Sequence, residues 1–364
     1  MTKLLFFGAY DPYYPRNLII RKGWRGIGRN YSECRTGIKH KVYTRYPELL
    51  FRYLRTDREG TTIFVPEFRH KDIPLASLIA TLSGSKLVFD PLVSRYETRV
   101  LDRGDVRAGS LQAWHNRNLD RISFNLPDLV IADTEQHASF YSDWFGVAPQ
   151  KLKVLPVGFD EETFLPVPWR DRGERLEILF YGSFLPLHGI DTIIDAAVAL
   201  AGEKVRFTLL GDGQTLGAAK ERVVSEGLKN VRFRPGVSTE ELARAISEYD
   251  IVLGVFGRTP KASMVVPNKI YQALAVGRPV ITADTPALRE FLVPGEHLIS
   301  VPTGEGDALA SMIMVLYRDP ALSMELARKG GTFVREGFNS IEIAKRLNGI
   351  LQEKGIDEGF TRKQ

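Results

Sequence analysis

Lys269 stands in the run Val266-Pro267-Asn268-Lys269, behind a loop that carries Gly254 and Gly257. Proline suits the first turn of a helix, and Gly277 can close one by taking a left-handed conformation. Pro279, Val280 and Ile281 then open a strand, so the spacing predicts a helix from Asn268 to about Val276. An apolar run over residues 251–255 precedes the loop and reads as a strand. The helix therefore aims its N-terminus, with Asn268 and Lys269 in the first turn, back at the loop after a strand. Free N–H groups, the positive end of the helix dipole and a lysine together make a phosphate site. The same strand, glycine loop and helix are also ordinary punctuation in a parallel α/β domain, and both readings stand at this point.

Other residues of chemical interest fall at corresponding places. Gly182-Ser183 follows an apolar run, with His188-Gly189 just after; Gly211-Asp212-Gly213, Pro235-Gly236-Val237 and Phe256-Gly257 follow others. Glycine lets a ligand approach the backbone closely, so a rim of glycine-bearing strand ends suits a nucleotide lying flat across it. In the first half, Asp90 ends a strand in Phe89-Asp90-Pro91, where it could orient or deprotonate an acceptor hydroxyl or simply open a turn. Tyr13, Tyr14, Arg16 and Asn17 lie in and just after the loop behind the first strand and are candidates for acceptor or phosphate contact. His115 and His137 lack partners at metal-ligand spacing, and no two aspartates one residue apart offer a metal–diphosphate bridge, so no metal is expected. There is no nucleophile elbow and no Walker glycine loop.

The elements that must position these residues alternate along the chain. Strands are predicted at residues 4–7, 62–65, 86–89, 128–132 and 153–156, with helical segments at 17–26, 47–54, 75–82 and 135–145. Residues 94–124 read as helical without a clean apolar stripe. Proline, glycine and charge in residues 166–175 mark a linker, after which the alternation resumes more clearly through strands at 177–181, 206–210, 231–234, 251–255, the strand opened by Pro279, and 298–301. The expected divisions are residues 1–165, the linker 166–175, residues 176–338, and 339–364 as a C-terminal helix returning to the first domain, with a tail.

The chain has 364 residues, 44% hydrophobic and 26% charged, an ordinary composition for a globular protein of two domains. No apolar run reaches the roughly 18 residues of a membrane span, and one cysteine, Cys34, excludes an internal disulfide and a thiolate zinc cluster. The expectation is a cytoplasmic protein. The net charge of +5 lies wholly in residues 1–168, and residues 14–71 alone hold 14 basic against 5 acidic residues. They are interleaved with Tyr14, Trp24, Tyr31, Tyr43, Tyr46, Phe51 and Tyr53, a combination that suits a polyanion or an anionic membrane, or is merely a solvated basic face. No nucleic-acid motif accompanies it.

The second half resembles the donor-binding domain of the retaining glycosyltransferases of family 4, also called group 1. The likeness lies in ILFYGSFLPLHGIDTIIDAA, FTLLGDGQ, NVRFRPGVSTEELARAISEYDIVLGVF and PNKIYQALAVGRPVITADTPALREFL, in order and spacing, over about 180 residues. The first half resembles the family more weakly, in DLVIADTEQHASFYSDWFGVAPQKLKVLPVGFDEETFLP. The resemblance implies two doubly wound Rossmann-like α/β domains facing each other across a cleft (the GT-B fold). It also implies a nucleotide diphosphate sugar as co-substrate with no separate cofactor, and a glycan or lipid-linked acceptor at the inner membrane face. Donor contacts would fall on Gly182, Ser183, Gly189, Gly211, Gly213, Val237, Phe256, Gly257, Asn268 and Gln272, with His188, Lys269 and Asp90 in catalytic roles. The chain departs from the family where an arginine and a lysine usually hold the pyrophosphate: Ser183 and His188 stand there. Of two usual glutamates, the first falls near Gly254 and the second on Gln272, which keeps hydrogen-bonding capacity without charge. A sugar-nucleotide epimerase on the same fold, and a non-catalytic partner of a transferase, are the alternatives.

Overall fold

The computed structural model describes residues 3–56, 61–169 and 173–356. The chain divides into two units, residues 1–158 with 339–364, and residues 159–338. Sequence reading put the change of domain at a linker over 166–175; of these, Arg170, Asp171 and Arg172 lie outside the described residues, as does the tail from Asp357.

The first unit runs β1 (Lys3–Gly8), α1 (Pro15–Gly26), β2 (Tyr31–Arg35), α2 (Val42–Leu54), β3 (Thr61–Val65), α3 (Ile73–Ser83), β4 (Leu87–Phe89), α4 (Leu111–Asn125), β5 (Leu129–Ala132), α5 (Glu135–Phe145) and β6 (Leu152–Val154). Its strands form one parallel sheet in the order β2-β1-β3-β4-β5-β6. β2 is absent from the sequence-based expectation because YSECR has no apolar run; it is an edge strand with one buried residue, Cys34. α2 begins well before the predicted residue 47 and accommodates Pro47 in its interior. Right-handed crossovers send α1 to one face of this sheet and α2 through α5 to the other.

The second unit runs β7 (Leu176–Tyr181), α6 (Ile190–Ala199), β8 (Val205–Leu210), α7 (Leu216–Ser225), β9 (Val231–Arg234), α8 (Thr239–Ser247), β10 (Ile251–Leu253), α9 (Pro260–Met264), α10 (Asn268–Val276), β11 (Val280–Ala283), α11 (Pro286–Arg289), β12 (Ile299–Val301), α12 (Gly306–Arg318) and α13 (Pro320–Gly337). Its parallel sheet has the order β12-β11-β10-β7-β8-β9. Leu176, Ile178, Phe180, Phe207, Leu209, Ile251 and Leu253 pack from the strands against α6 and α12. Arg278, in the turn before β11, donates to the carbonyls of Val167, Pro168 and Ser247 and thereby ties residues 167–168 to this unit.

The chain then returns to the first unit as α14 (Ser340–Glu353), which lies along α1. Ile343, Ala344, Leu347 and Leu351 of α14 join Ile19, Ile20 and Trp24 of α1 in one apolar cluster over Leu4, Phe6, Phe64 and Ile131 of the sheet. The approach is close because α1 carries Gly23 and Gly26 where it meets α14: a β-carbon at Gly23 would collide with the Ser340 carbonyl and the Ala344 side chain. Gly23→Ala is therefore expected to lower stability by about 1–3 kcal/mol through overpacking, read as a lower urea midpoint at unchanged m-value.

Candidate functional site

In each sheet the order of strands reverses between two neighbours, and ligands of open α/β sheets gather beyond the carboxyl ends at that point. In the second unit the reversal lies between β7 and β10. The loop after β7 brings Gly182, Ser183 and His188 there, the loop after β10 brings Phe256 and Gly257, and α10 starts alongside with Asn268 and Lys269.

Lys269 reaches back over the end of β7. Its Nζ lies 3.9 Å from the centroid of the Phe180 ring, and a β-carbon at Gly182 would come 3.3 Å from it. The side chain is 6% exposed, and among the described residues Nζ has no hydrogen-bond partner. A cation–π contact does not replace the hydration that an ammonium loses on burial, and burial holds this group well below the usual lysine pKa of 10.5. His188 stands edge-on to the same ring, 5.5 Å between centroids, with its Nδ1 likewise buried and unpaired. Burial first, and Lys269 second, keep His188 well below pKa 6.5 and so neutral. Lys269 Nζ and His188 Nδ1 are thus two buried polar atoms beside one aromatic ring, neither with a hydrogen-bond partner among the described residues.

Gln272 lies one turn along α10, 7% exposed, with Oε1 3.0 Å from the Tyr181 hydroxyl, which also stands 3.1 Å from the Lys269 carbonyl. With Oε1 turned to Tyr181, the NH2 end of the amide is the one left to donate. Asn268 is half-buried, and Ser183 and Val237 are exposed.

The glycines of the rim turn out to have a second purpose. Gly211 abuts the backbone of Gly182, Gly213 abuts Phe184, and Gly189 and Gly257 pack the loops after β7 and β10 against each other. Gly257 N–H donates to Leu187 O at 3.0 Å and Phe256 N–H to His188 O at 3.1 Å. Close backbone packing, more than ligand access, excludes a side chain at these places. Phe256, expected as a donor contact, turns its ring into the core and is fully buried, so only its backbone borders the site. Arg258, in the loop after β10, donates to Gly304 O at 2.8 Å and lies 3.6 Å from Glu305.

In the first unit the reversal falls between β1 and β3. Arg16 and Asn17, at the start of α1, were expected to meet a ligand; both are fully buried and serve the protein itself. Arg16 Nε donates to Asp90 Oδ2 at 2.7 Å, while its Nη1 donates to the carbonyls of Leu155 and Pro156. Asn17 Nδ2 bridges Asp11 O and Glu67 Oε1 at 2.6 and 2.8 Å. Burial raises the Asp90 carboxyl and Arg16 draws it down. One atom of each remains unpaired among the described residues: Arg16 Nη2, Asn17 Oδ1, Glu67 Oε2 and Asp90 Oδ1. Tyr14 packs edge-on against Phe68, and Tyr13 is 81% exposed.

A second polar cluster escaped sequence reading. His137 on α5 is fully buried with Nδ1 bonded to Asp133 and Nε2 2.9 Å from Glu97 Oε1, and the two carboxylates overcome burial to raise its pKa to about 10. Asp133 precedes it by four residues, a spacing legible in the sequence; Glu97 comes from a distant π-helical turn and is not. Nearby Asp120, accepting from Ser94 Oγ and Tyr96 N–H, is pushed by burial to about 7. Among the described residues no group of three His, Cys, Asp or Glu side chains is arranged to hold a metal ion.

Residues 175–319 match the family described as Glycosyl transferases group 1. The chain is 23% identical over 236 residues to the MMP alpha-(1->4)-mannosyltransferase of Mycolicibacterium hassiacum, covering 64% of this chain and 56% of the relative. It is 27% identical over 269 residues to a D-inositol 3-phosphate glycosyltransferase of Kineococcus radiotolerans, covering 64% and 59%. The chain therefore spans little more than half the length of these curated relatives. Among solved structures it is similar to HepE of Anabaena in complex with UDP, with a TM-score of 0.72 at 15% identity over 96% of this chain and all of that one. It is equally similar to the sucrose-phosphate synthase of Thermosynechococcus elongatus, with a TM-score of 0.72 at 16% identity over 97% and 98%. At such identity the likeness shows the fold, the pair of parallel α/β units of GT-B proteins.

Proposed function

Because the chain carries a glycosyl transferases group 1 domain over residues 175–319, we propose that the protein is a retaining glycosyltransferase, moving a sugar from a nucleotide diphosphate sugar to an acceptor hydroxyl. The observation that carries the donor side is the buried, unpaired Lys269 Nζ at the reversal point of the second sheet. A diphosphate seated there would meet Lys269, the N-terminus of α10 and His188, and the charge that develops on the leaving diphosphate would be stabilised by an ammonium that the bound donor draws back into its charged form. Gln272 would donate to a ribose hydroxyl. Relatives' usual arginine and lysine are absent from the loop after β7, and in this reading Lys269 takes over their charge.

The first unit would take the acceptor. In this reading Asp90 Oδ1, the one oxygen not engaged by Arg16, would accept from the attacking hydroxyl, with Arg16 as a positioning residue behind it. The acceptor in this reading is a glycan or lipid-linked glycan destined for the cell surface, met by a peripheral enzyme at an anionic inner membrane face, to which the basic surplus of the first half is suited.

Release of nucleoside diphosphate from a panel of nucleotide sugars tests the reading, beginning with UDP-glucose, the ligand of a HepE structure. Absence of both binding and release across the panel would overturn it. Release without an added acceptor, with an isomerised sugar as product, would point instead to epimerisation, and nucleotide binding without turnover to a non-catalytic partner. Gln272→Leu is expected to weaken nucleotide binding by about threefold to tenfold, the worth of one neutral hydrogen bond, as measured by calorimetry.

A further inference from the structure

α4 is built inside out. Its inward positions are Ala113, Asn116, Asp120, Ser123 and Phe124, whereas Leu111, Trp114, Ile122 and the following Leu126 are 86%, 66%, 51% and 44% exposed. The helix lies in the layer of α2 to α5, and the rest of that layer behaves alike. On α2, Tyr43, Pro47, Leu50, Phe51 and Leu54 form a stripe at helical spacing on the side opposite the buried Leu49 and Tyr53. α3 leaves Leu78 and Leu82 exposed, and α5 leaves Trp144. The helices on the other face, α1 and α14, expose no large apolar side chain among the described residues. The asymmetry shows that the exposed apolar surface is a property of one face.

That face is basic where it is apolar. Lys41 Nζ lies 5.9 Å from the Tyr43 ring centroid, the Arg55 guanidinium 3.9 Å from that of Phe51, and the Arg117 guanidinium 5.7 Å from that of Trp144. Arg117 and Arg121, one turn apart on α4, flank a groove between Trp114 and Trp144, and neither has a carboxylate partner among the described residues. The acidic groups at the surface of the layer are fewer: Glu48, which pairs with Arg52 and His40, and Glu135 and Asp143 on α5. The basic, aromatic stretch noted in the sequence contributes only partly, since Trp24 and Tyr53 are buried in the core.

We propose that the α2–α5 face of the first unit is a docking surface for an anionic lipid bilayer, with the stripe of α2 and the outer edge of α4 inserted among headgroups and the arginines paired to lipid phosphates. Aromatic rings carrying cations, on a broad face and not in a deep pocket, match the amphipathic boundary of a membrane. A two-fold pairing of copies through this face would oppose like-charged arginines, whereas anionic headgroups neutralise them. The inference builds on the membrane-held acceptor proposed above and specifies the surface that meets the membrane.

The test is sedimentation of the full chain with vesicles, in the absence of donor and acceptor, so that its outcome is independent of glycosyl transfer. Vesicles of phosphatidylcholine with about one third phosphatidylglycerol are expected to retain the protein at least about tenfold better than pure phosphatidylcholine. Tryptophan emission should shift to the blue, a shift that Trp114→Phe diminishes. Phe51→Ser with Leu54→Ser, and separately Arg117→Glu with Arg121→Glu, should each reduce retention about tenfold while circular dichroism and the thermal midpoint stay unchanged, as expected of exposed positions. Absence of binding to the anionic vesicles, undiminished binding by both variants, or a self-association that the same substitutions abolish without any vesicle binding would each overturn the proposal.

Discussion

Replacement of Lys269 by alanine lowers the turnover of donor by about a hundredfold to a thousandfold, the effect of removing one preorganised charge from a developing anion, and leaves the fold intact. The expectation rests on where the ammonium sits: over Phe180, beside the bare backbone of Gly182, with no acceptor of its own. An alanine there removes a buried polar group that has no partner, so stability should hold or rise while catalysis falls. That combination separates a functional lysine from a structural one. Arginine should not rescue, since its longer, planar head has no room between Phe180 and the loop after β7. The depressed pKa adds a second signature. An anion at Nζ draws the lysine back to its charged form, so donor binding takes up a proton, and affinity weakens as pH rises above the pKa of the free protein. Calorimetry in two buffers of different ionisation enthalpy reads the proton directly. Unchanged turnover in Lys269→Ala would end the assignment.

His137→Ala is expected to destabilise the first unit by about 3–5 kcal/mol at neutral pH, because Asp133 and Glu97 would then face each other buried without their shared cation. The pH dependence of the parent protein carries the same information. An unfolded histidine titrates near 6.5, and in the fold His137 titrates near 10, so the folded state holds the extra proton. Its contribution to stability is complete below about pH 6.5 and drains away as pH rises toward 10. Urea midpoints between pH 6 and 10 should fall more steeply for the parent than for His137→Asn. Parallel curves would show that the imidazole is neutral in the fold.

Much of this arrangement was legible in the residues. Buried parallel strands write themselves as short apolar runs, and Pro267 with Gly277 bracketed α10 because helix ends have chemical requirements that local sequence must meet. What escaped was set by contacts between distant segments. YSECR becomes β2 because β1 offers it an edge, and the helical reading of residues 94–124 lacked a clean apolar stripe because the apolar residues of α4 face outward. The glycines illustrate the limit from another side. Their place on the rim was evident, yet Gly189, Gly211 and Gly257 turned out to be required by neighbouring backbone, a need that appears only when the loops after β7 and β10 meet. Likewise Arg16 and Asp90 were each singled out in the sequence, but the hydrogen bond between them could not be read from residues 74 positions apart.

The first unit is completed only by α14, which follows the whole second unit in sequence and fills the groove left by Gly23 and Gly26 on α1. A chain emerging from the ribosome therefore presents its first sheet with one face covered by α1 alone, and keeps it so while the whole second unit is made, until α14 follows. The second unit, continuous in sequence, can consolidate before the first, contrary to the order in which the two begin. Until the final turn of α14 is released, Trp24 and its neighbours on α1 lack their cover, and it is in that interval that a chaperone would find the nascent protein most in need of one.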